Sequence, residues 1–545
     1  MIERLAWGFC GLVALIFLVL YLMGWALAIS APLSIEYEGP CLWATIQLSH
    51  GLDIYNPLRL LEPPYQVIIY PPVFFLLCVP FQVFAGTSYW GLRLVSILSF
   101  IISAVSSYRI FHRSTNSIYA SIVGLIAYSS FLPIWSWSIK GRVDMLSVSL
   151  SIVAIDLFLV AYQKSDTDGQ ESKSFAGRAL HHLGIYTLFI ICCVLAIFTK
   201  QPAVMIPIAV AIFLLTKRKF LDFFIIAIGS GGLSALSLFA IDLWTRGGFM
   251  QHMRFLSRMP FSFNDLNLHL AWMGSDWGKL LLIPIAILFL RRRKDESMDT
   301  TLPVALILLS GLLTFYSLGT MYANVNHAMQ FYWAAAWLLA ICAAVAPRKL
   351  SYAILMASLL SAYAIFSTFP NLRNVTSKMQ SSMTLLEKEE LTGTTMFVED
   401  PALALEVGAE PLFVDVATFI QVWEREGRNL DHLLNNIKDT KYSAIVINRH
   451  DSQLEKPPYF WPTKMIDTIR QYYKYQGKVV GNGEIQDLFI VKEEYKNSRA
   501  PEQVKSPVSD EAQKKSGSAE PHQQAEAESN SNSKSNSPSD ASTRD

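Results

Sequence analysis

Residues 5–35 read LAWGFCGLVALIFLVLYLMGWALAISAPLSI, and none of them is Asp, Glu, Lys or Arg. About 20 apolar residues suffice to cross the hydrocarbon core of a bilayer. The stretch is too long for the apolar centre of a secretion signal, which spans roughly 7–15 residues. Ala26-Leu27-Ala28 therefore only imitates a cleavage site, and the segment reads as a retained membrane anchor.

Similar uncharged runs recur up to about Phe369, and they explain the composition. Of 545 residues 52% are hydrophobic and 16% charged, against about 25% charged in soluble domains. One large soluble core would not string together repeated uncharged stretches of this length. Candidate spans are 5–29, 90–111, 115–133, 144–162, 183–199, 202–216, 220–241, 277–291, 302–318, 328–346 and 351–369. The apolar stretch 70–86 is short, opens Tyr70-Pro71-Pro72 and carries Pro80, so it reads as an interfacial or re-entrant helix. The expected fold is a polytopic α-helical membrane protein of about 11 transmembrane helices.

Basic residues collect in cytoplasmic loops. With the N-terminus inside, Arg109/Arg113, Lys164/Lys173/Arg178, Lys217-Arg218-Lys219, Arg291-Arg292-Arg293-Lys294 and Arg348-Lys349 fall on the cytoplasmic side. That is about fifteen Lys and Arg, with Arg4, against about eight in the opposite loops. The expected location is the cell membrane, with a first external loop over 30–69, a second over 242–276, and everything beyond 370 outside.

Residues 370–496 read as a small extracytoplasmic α/β domain behind a transmembrane domain over 1–369. Strands are expected at 394–398, 442–447 and 485–491, and helices at 416–438 and 462–475. Glu399-Asp400-Pro401 reads as a strand end capping a helix. From 497 to 545 there is no aromatic, Leu or Ile, and Ser, Asn, Gln, Glu and Pro dominate, so that tail is expected to be disordered. A net charge of +1 argues against a polyanionic partner, nucleic acid included. The six cysteines, among them the adjacent Cys192-Cys193, show neither a disulfide framework nor metal-ligand spacing.

Ionisable residues at membrane depth cost about 2.5–3.5 kcal/mol each on insertion scales, so their positions are informative. Four polar clusters stand at the lips of apolar spans on the expected external side. Ser34-Ile35-Glu36-Tyr37-Glu38-Gly39-Pro40 follows the first span, and a carboxylate there can act as general base toward an acceptor hydroxyl or amine. Lys140-Gly141-Arg142-Val143-Asp144 offers Arg142 to a phosphate, with Asp144 to orient it or to cap the helix. Thr199-Lys200-Gln201-Pro202 places Lys200 at headgroup depth, suited to a lipid mono- or diphosphate. Tyr322-Ala323-Asn324-Val325-Asn326-His327 brings amides and an imidazole that can bond a sugar or a phosphate. Each has a plainer reading, as a solvated loop, an interfacial ion pair, a snorkelling lysine or a polar turn. Their convergence on one side gives the functional reading its weight. Asp156, inside a span near its cytoplasmic end, has no assigned role.

In these residues the sequence resembles bacterial members of the GT-C superfamily, polytopic glycosyltransferases that include protein O-mannosyltransferases and aminoarabinose transferases. The motifs are Glu38-Gly39, Gly51-Leu52-Asp53-Ile54-Tyr55, Tyr70-Pro71-Pro72, Gly91-Leu92-Arg93-Leu94-Val95-Ser96, Gly141-Arg142-Val143-Asp144, Thr199-Lys200-Gln201 and Asn326-His327, in that order along the chain to about 495. The resemblance implies inverting transfer of a sugar from a polyprenyl-phosphate donor to a lipid, glycan or protein acceptor on the extracytoplasmic face, with no metal and no cofactor. It puts the base on Glu38, with Glu36 as the alternative, because many relatives carry an Asp-Glu pair where this chain has Tyr37-Glu38. It adds Tyr70 and Gln201 to Arg142, Asp144, Lys200, Asn326 and His327 as substrate-binding positions. The rival reading is a transporter or flippase of a lipid-linked or small polar substrate. Paired half-sequences or helices broken near the midplane would mark it, and the sequence offers neither. A polymerase or ligase using diphosphate-linked oligosaccharides and a non-catalytic receptor built around the external domain are further rivals.

Overall fold

The structure, a computed structural model, describes residues 2–168, 175–256, 260–293, 299–320, 323–386, 391–425, 427–453, 461–481 and 483–496. The tail expected over 497–545 and Tyr322 lie outside the described residues.

The chain is a multi-pass helical membrane protein. Among the described residues eight helices are long and apolar enough to cross a bilayer, or nine if the bent pair Ile118–Ser129 and Leu132–Ser138 forms one span. The expectation of about eleven spans is corrected by two segments that fall short. The segment at 202–216 lies within the short apolar helix Gln201–Thr216. The segment at 277–291 breaks into Trp277–Leu280 and Leu282–Arg293. The first anchor is Ile2–Ser30, 29 residues, which at 1.5 Å per residue spans about 43 Å. Its chain then turns at Ala31-Pro32 into the first long loop. The 71° bend of the third expected segment falls where Pro133 stands in the first turn of the helix Leu132–Ser138, where proline is tolerated because its missing N–H would be unpaired anyway. The stretch 70–86 forms the helix Val73–Ala85, with Pro80 inside. The span Val325–Val345 has 89% of its apolar window buried and Phe220–Trp244 only 11%, so the former runs through the bundle centre and the latter along its rim.

The last span continues without a break. Arg348–Leu386 is one helix of 39 residues with Pro370 inside, and it crosses the expected domain boundary at 369/370. Its far end enters the core of the α/β domain, where Met379 and Leu386 pack with Met396, Val398, Val446 and Leu488.

That domain holds a five-stranded mixed sheet in the order β2-β1-β3-β5-β4. The strands are β1 Thr395–Val398, β2 Glu410–Pro411, β3 Ala444–Asn448, β4 Tyr473–Gly481 and β5 Glu484–Val491. β1 runs parallel to β2 and β3, and β5 is antiparallel to β3 and β4. Successive side chains on a strand point to opposite faces, and here both faces are buried. Met396, Val398, Ala444 and Val446 face the long helix, whereas Phe397, Ile445 and Ile447 face the helices Val416–Arg425, Asp431–Lys438 and Thr463–Tyr472. The helix expected at 416–438 is therefore two helices, and the one expected at 462–475 stops at Tyr472 and gives way directly to β4. Asp400 caps the helix Pro401–Glu406 by accepting from Ala402 N at 3.1 Å.

The first long loop lies between the helical body and this domain. Tyr65 forms a parallel bridge with Phe413, its N–H bonding Leu412 O at 2.8 Å, and its ring stacks within 5.7 Å of Phe413. A Cβ on Gly39 would meet Asp400 Oδ1 at 2.5 Å, and one on Gly483 would meet Ile35 O at 2.2 Å. Gly39 thus seats directly against the side chains of Asp400 and Pro401, and Gly483 against the Ile35 backbone, approaches that only residues without a side chain allow.

Candidate active site

Glu36 and Glu38 sit two residues apart, a spacing that puts both on one face of an extended strand. The loop is not extended there. Tyr37 adopts φ 48°, a left-handed conformation that non-glycine residues seldom take, and the two carboxylates have different partners.

Glu38 is fully buried and turns inward to Arg93, also fully buried. Arg93 Nε and Nη2 donate to Glu38 Oε1 and Oε2 at 3.0 and 2.7 Å. Ile35 N and Gly141 N donate to the same two oxygens at 2.7 and 2.5 Å. The rest of the guanidinium bonds the carbonyls of Ala28, Ala31 and Leu33 at 2.6–2.7 Å. Every donor of the arginine fork is used, and the first span is thereby clamped to the helix Trp90–Thr115. Gly141 is needed for this approach, since a Cβ there would meet Leu92 Cβ at 2.5 Å.

Glu36 points the other way, with 29% of its side chain exposed. It pairs with Lys140, whose ammonium lies 4.0 Å from the centre of the Trp137 ring, and it accepts from Asn324 Nδ2 at 2.8 Å. Burial alone would raise the Glu36 carboxyl. The Lys140 ammonium, helped by Arg142 and Asn324, outweighs it and holds the group below the usual carboxylate value of 4.5.

Next to Glu36 stands a second buried cluster. Asp144 opens the helix Val143–Asp168, and its Oδ1 accepts from Lys200 Nζ at 2.5 Å and Asn326 Nδ2 at 2.7 Å. Arg142 Nε lies 3.6 Å from Asp144 Oδ2, and Arg142 Nη2 donates to Tyr70 Oη at 3.1 Å. Burial lowers the Lys200 ammonium below its ordinary value even with Asp144 opposing the shift. His327 is within electrostatic reach of Lys200, Asp144 and Arg142. Among the described residues Arg142 Nε, Asp144 Oδ2, Asn326 Oδ1 and His327 Nδ1 are buried without a hydrogen-bond partner.

The fold thus gathers Glu36, Tyr70, Arg142, Asp144, Lys200, Asn326 and His327 from five separate stretches of chain. It draws Glu38 away into the Arg93 clamp, and it turns Gln201 to Ile69 O at 3.0 Å and Met253 Sδ at 3.2 Å, where it ties the first loop. Lys140 stood in its quoted cluster without a role and Asn324 only as one of the turn's amides, and both hold Glu36. Arg93 was equally visible: an arginine near the start of an apolar span needs a buried partner.

The site sits in a polytopic helical body with an appended mixed-sheet domain, both packed on the first long loop. Solved structures share this architecture over most of the chain. ArnT from Cupriavidus metallidurans in the apo state superposes at a TM-score of 0.58 and 11% identity, covering 88% of this chain and 97% of that one. The same protein bound to undecaprenyl phosphate gives 0.59 and 10%, covering 88% and 98%. A weaker likeness, at 0.46 and 13% identity, is to the oligosaccharyltransferase AglB from Archaeoglobus fulgidus, covering 89% and 76%. No family model matches the sequence, and no curated protein matches it either.

Proposed function

We propose that the chain is a membrane glycosyltransferase that moves a sugar from a polyprenyl-phosphate donor to an acceptor on the extracytoplasmic face, with inversion. The observation that carries this reading is the buried Arg142–Asp144–Lys200 cluster. Two cations share one carboxylate there, leaving a local excess of positive charge at the mouth of an apolar bundle. A phosphate on a lipid chain matches that arrangement in charge, and Lys200 and Arg142 supply charge-assisted donors for it. The shared fold with ArnT, solved with undecaprenyl phosphate bound, supports the same substrate class.

Glu36 is the better placed base. It is partly exposed and adjoins the cation cluster, whereas both oxygens of Glu38 are consumed by Arg93 and backbone N–H groups. In the reaction the acceptor heteroatom forms a bond to the anomeric carbon as its proton passes to Glu36. The bond from that carbon to the phosphate oxygen breaks, and its electron pair leaves on the polyprenyl phosphate beside Lys200 and Arg142. Asp144 positions both cations. The carboxylate must be ionised, and the Lys140 pairing keeps it so at neutral pH.

The test is sugar transfer by the purified protein with polyprenyl-phosphate donors. Glu36→Gln is expected to lower kcat by about 10²–10⁴-fold with little change in the donor KM. Full turnover in that variant would remove the mechanism. A comparable loss in Glu38→Gln with unchanged thermal stability would move the base to Glu38.

A further inference from the structure

The turn over 324–327 touches both halves of the proposed reaction. Asn324 bonds the base, Glu36, and Asn326, two residues on, bonds Asp144 in the phosphate cluster. A sugar whose anomeric carbon lies between base and phosphate passes over this turn.

The hydrogen bonding of Asn326 fixes what it offers such a sugar. Its Nδ2 donates to a carboxylate oxygen, and the reversed amide would set oxygen against oxygen, so the orientation is determined by chemistry. The remaining atom, Oδ1, can only accept. It is buried in a residue that is 5% exposed, and no donor meets it among the described residues. His327 Nδ1, one residue on, is likewise buried with no hydrogen-bond partner among the described residues. An ionised phosphate carries only acceptor oxygens and cannot satisfy Asn326 Oδ1, whereas a hydroxyl can. Desolvated polar atoms are costly to leave unpaired.

Resting on the function proposed above, we propose that Asn326, with His327, is the recognition site for the donor sugar and accepts a hydrogen bond from a ring hydroxyl, so the donor carries a free hydroxyl at that position. Arg142 and Lys200 hold the phosphate, and the turn selects what is attached to it. A site built to bond a hydroxyl rejects the analogue that lacks it far more strongly than an apolar pocket rejects a missing methylene.

The experiment has two arms. The first measures binding of undecaprenyl phosphate alone to the wild type, Asn326→Ala and His327→Ala. The second measures kcat/KM with undecaprenyl-phosphate glucose, galactose, mannose and N-acetylglucosamine, and then with the monodeoxy forms of the active donor. The expected result is undecaprenyl phosphate affinity unchanged within about threefold in the variants, while kcat/KM for the sugar donor falls at least about tenfold. In the wild type one monodeoxy donor should be rejected by about 10²-fold or more, and Asn326→Ala should lose most of that discrimination. Equal losses in both arms would overturn the proposal, because Asn326 would then act on phosphate through Asp144. So would a wild type that uses every monodeoxy donor as well as the parent, a result that needs no variant to fold. A wild type that neither binds undecaprenyl phosphate nor transfers from any donor would instead remove the functional reading, and this inference with it.

Discussion

Two buried charge clusters meet at neighbouring residues, Gly141 touching one and Arg142 the other, and they are built on opposite principles. Around Glu38 and Arg93 all five guanidinium N–H groups and both carboxylate oxygens have protein partners. Around Asp144 two cations compete for one carboxylate, and Arg142 Nε, Asp144 Oδ2 and Asn326 Oδ1 lack hydrogen-bond partners among the described residues. Burying charge is expensive in both places. A balanced, fully bonded cluster holds a shape, and here it fixes the loop carrying Glu36. A cluster with surplus positive charge and unserved atoms is prepared for something that arrives. Burial alone does not separate the two kinds of site, whereas a count of served atoms does.

The largest effect expected from this contrast is on stability. Arg93→Ala strands the Glu38 carboxylate, and removing one partner of a buried pair costs about 3–5 kcal/mol. A sharp fall in the thermal unfolding midpoint in detergent is predicted. Replacing both partners by apolar residues, Glu38→Met with Arg93→Leu, should recover part of the loss. An Arg93→Ala protein as stable as the wild type would show that the clamp holds nothing.

A smaller effect tests the partner of Glu36. Because Lys140 and its neighbours hold that carboxyl below 4.5, the wild-type rate should stay level as pH falls from neutrality and drop only below about that value, when Glu36 takes up a proton. In Lys140→Met burial acts with less opposition, the carboxyl rises, and the acid limb of kcat/KM against pH moves to higher pH. An acid limb that stays in place would mean that Glu36 is not the group whose ionisation the reaction needs.

Much of this fold was legible because a bilayer leaves little choice: long apolar runs must be helical. Each expected span has an apolar helical counterpart, yet hydropathy counts residues and carries no direction. The bend at Ser130-Phe131 and the break at Leu281 were therefore invisible. In the α/β domain the sequence over 462–475 reads as one helix. The Tyr-rich run at its end prefers a pleated surface, and pairing with β5 takes it into a strand at Tyr473. The site residues were visible as polar clusters at the lips of spans. Who pairs with whom was not, because Glu36 reaches Asn324 over 288 positions and Glu38 reaches Arg93 over 55. Nothing local in Glu36-Tyr37-Glu38 says which carboxylate faces out, since the choice follows from where Arg93 and Lys140 come to rest.

The most direct test is an experimental structure of the protein saturated with undecaprenyl phosphate. The phosphate is predicted to lie about 2.7–3.0 Å from Lys200 Nζ and within bonding distance of the Arg142 guanidinium, with the prenyl chain running down the apolar bundle. A phosphate bound at some other surface, with Lys200 and Arg142 still engaged only by Asp144 and Tyr70, would contradict the account.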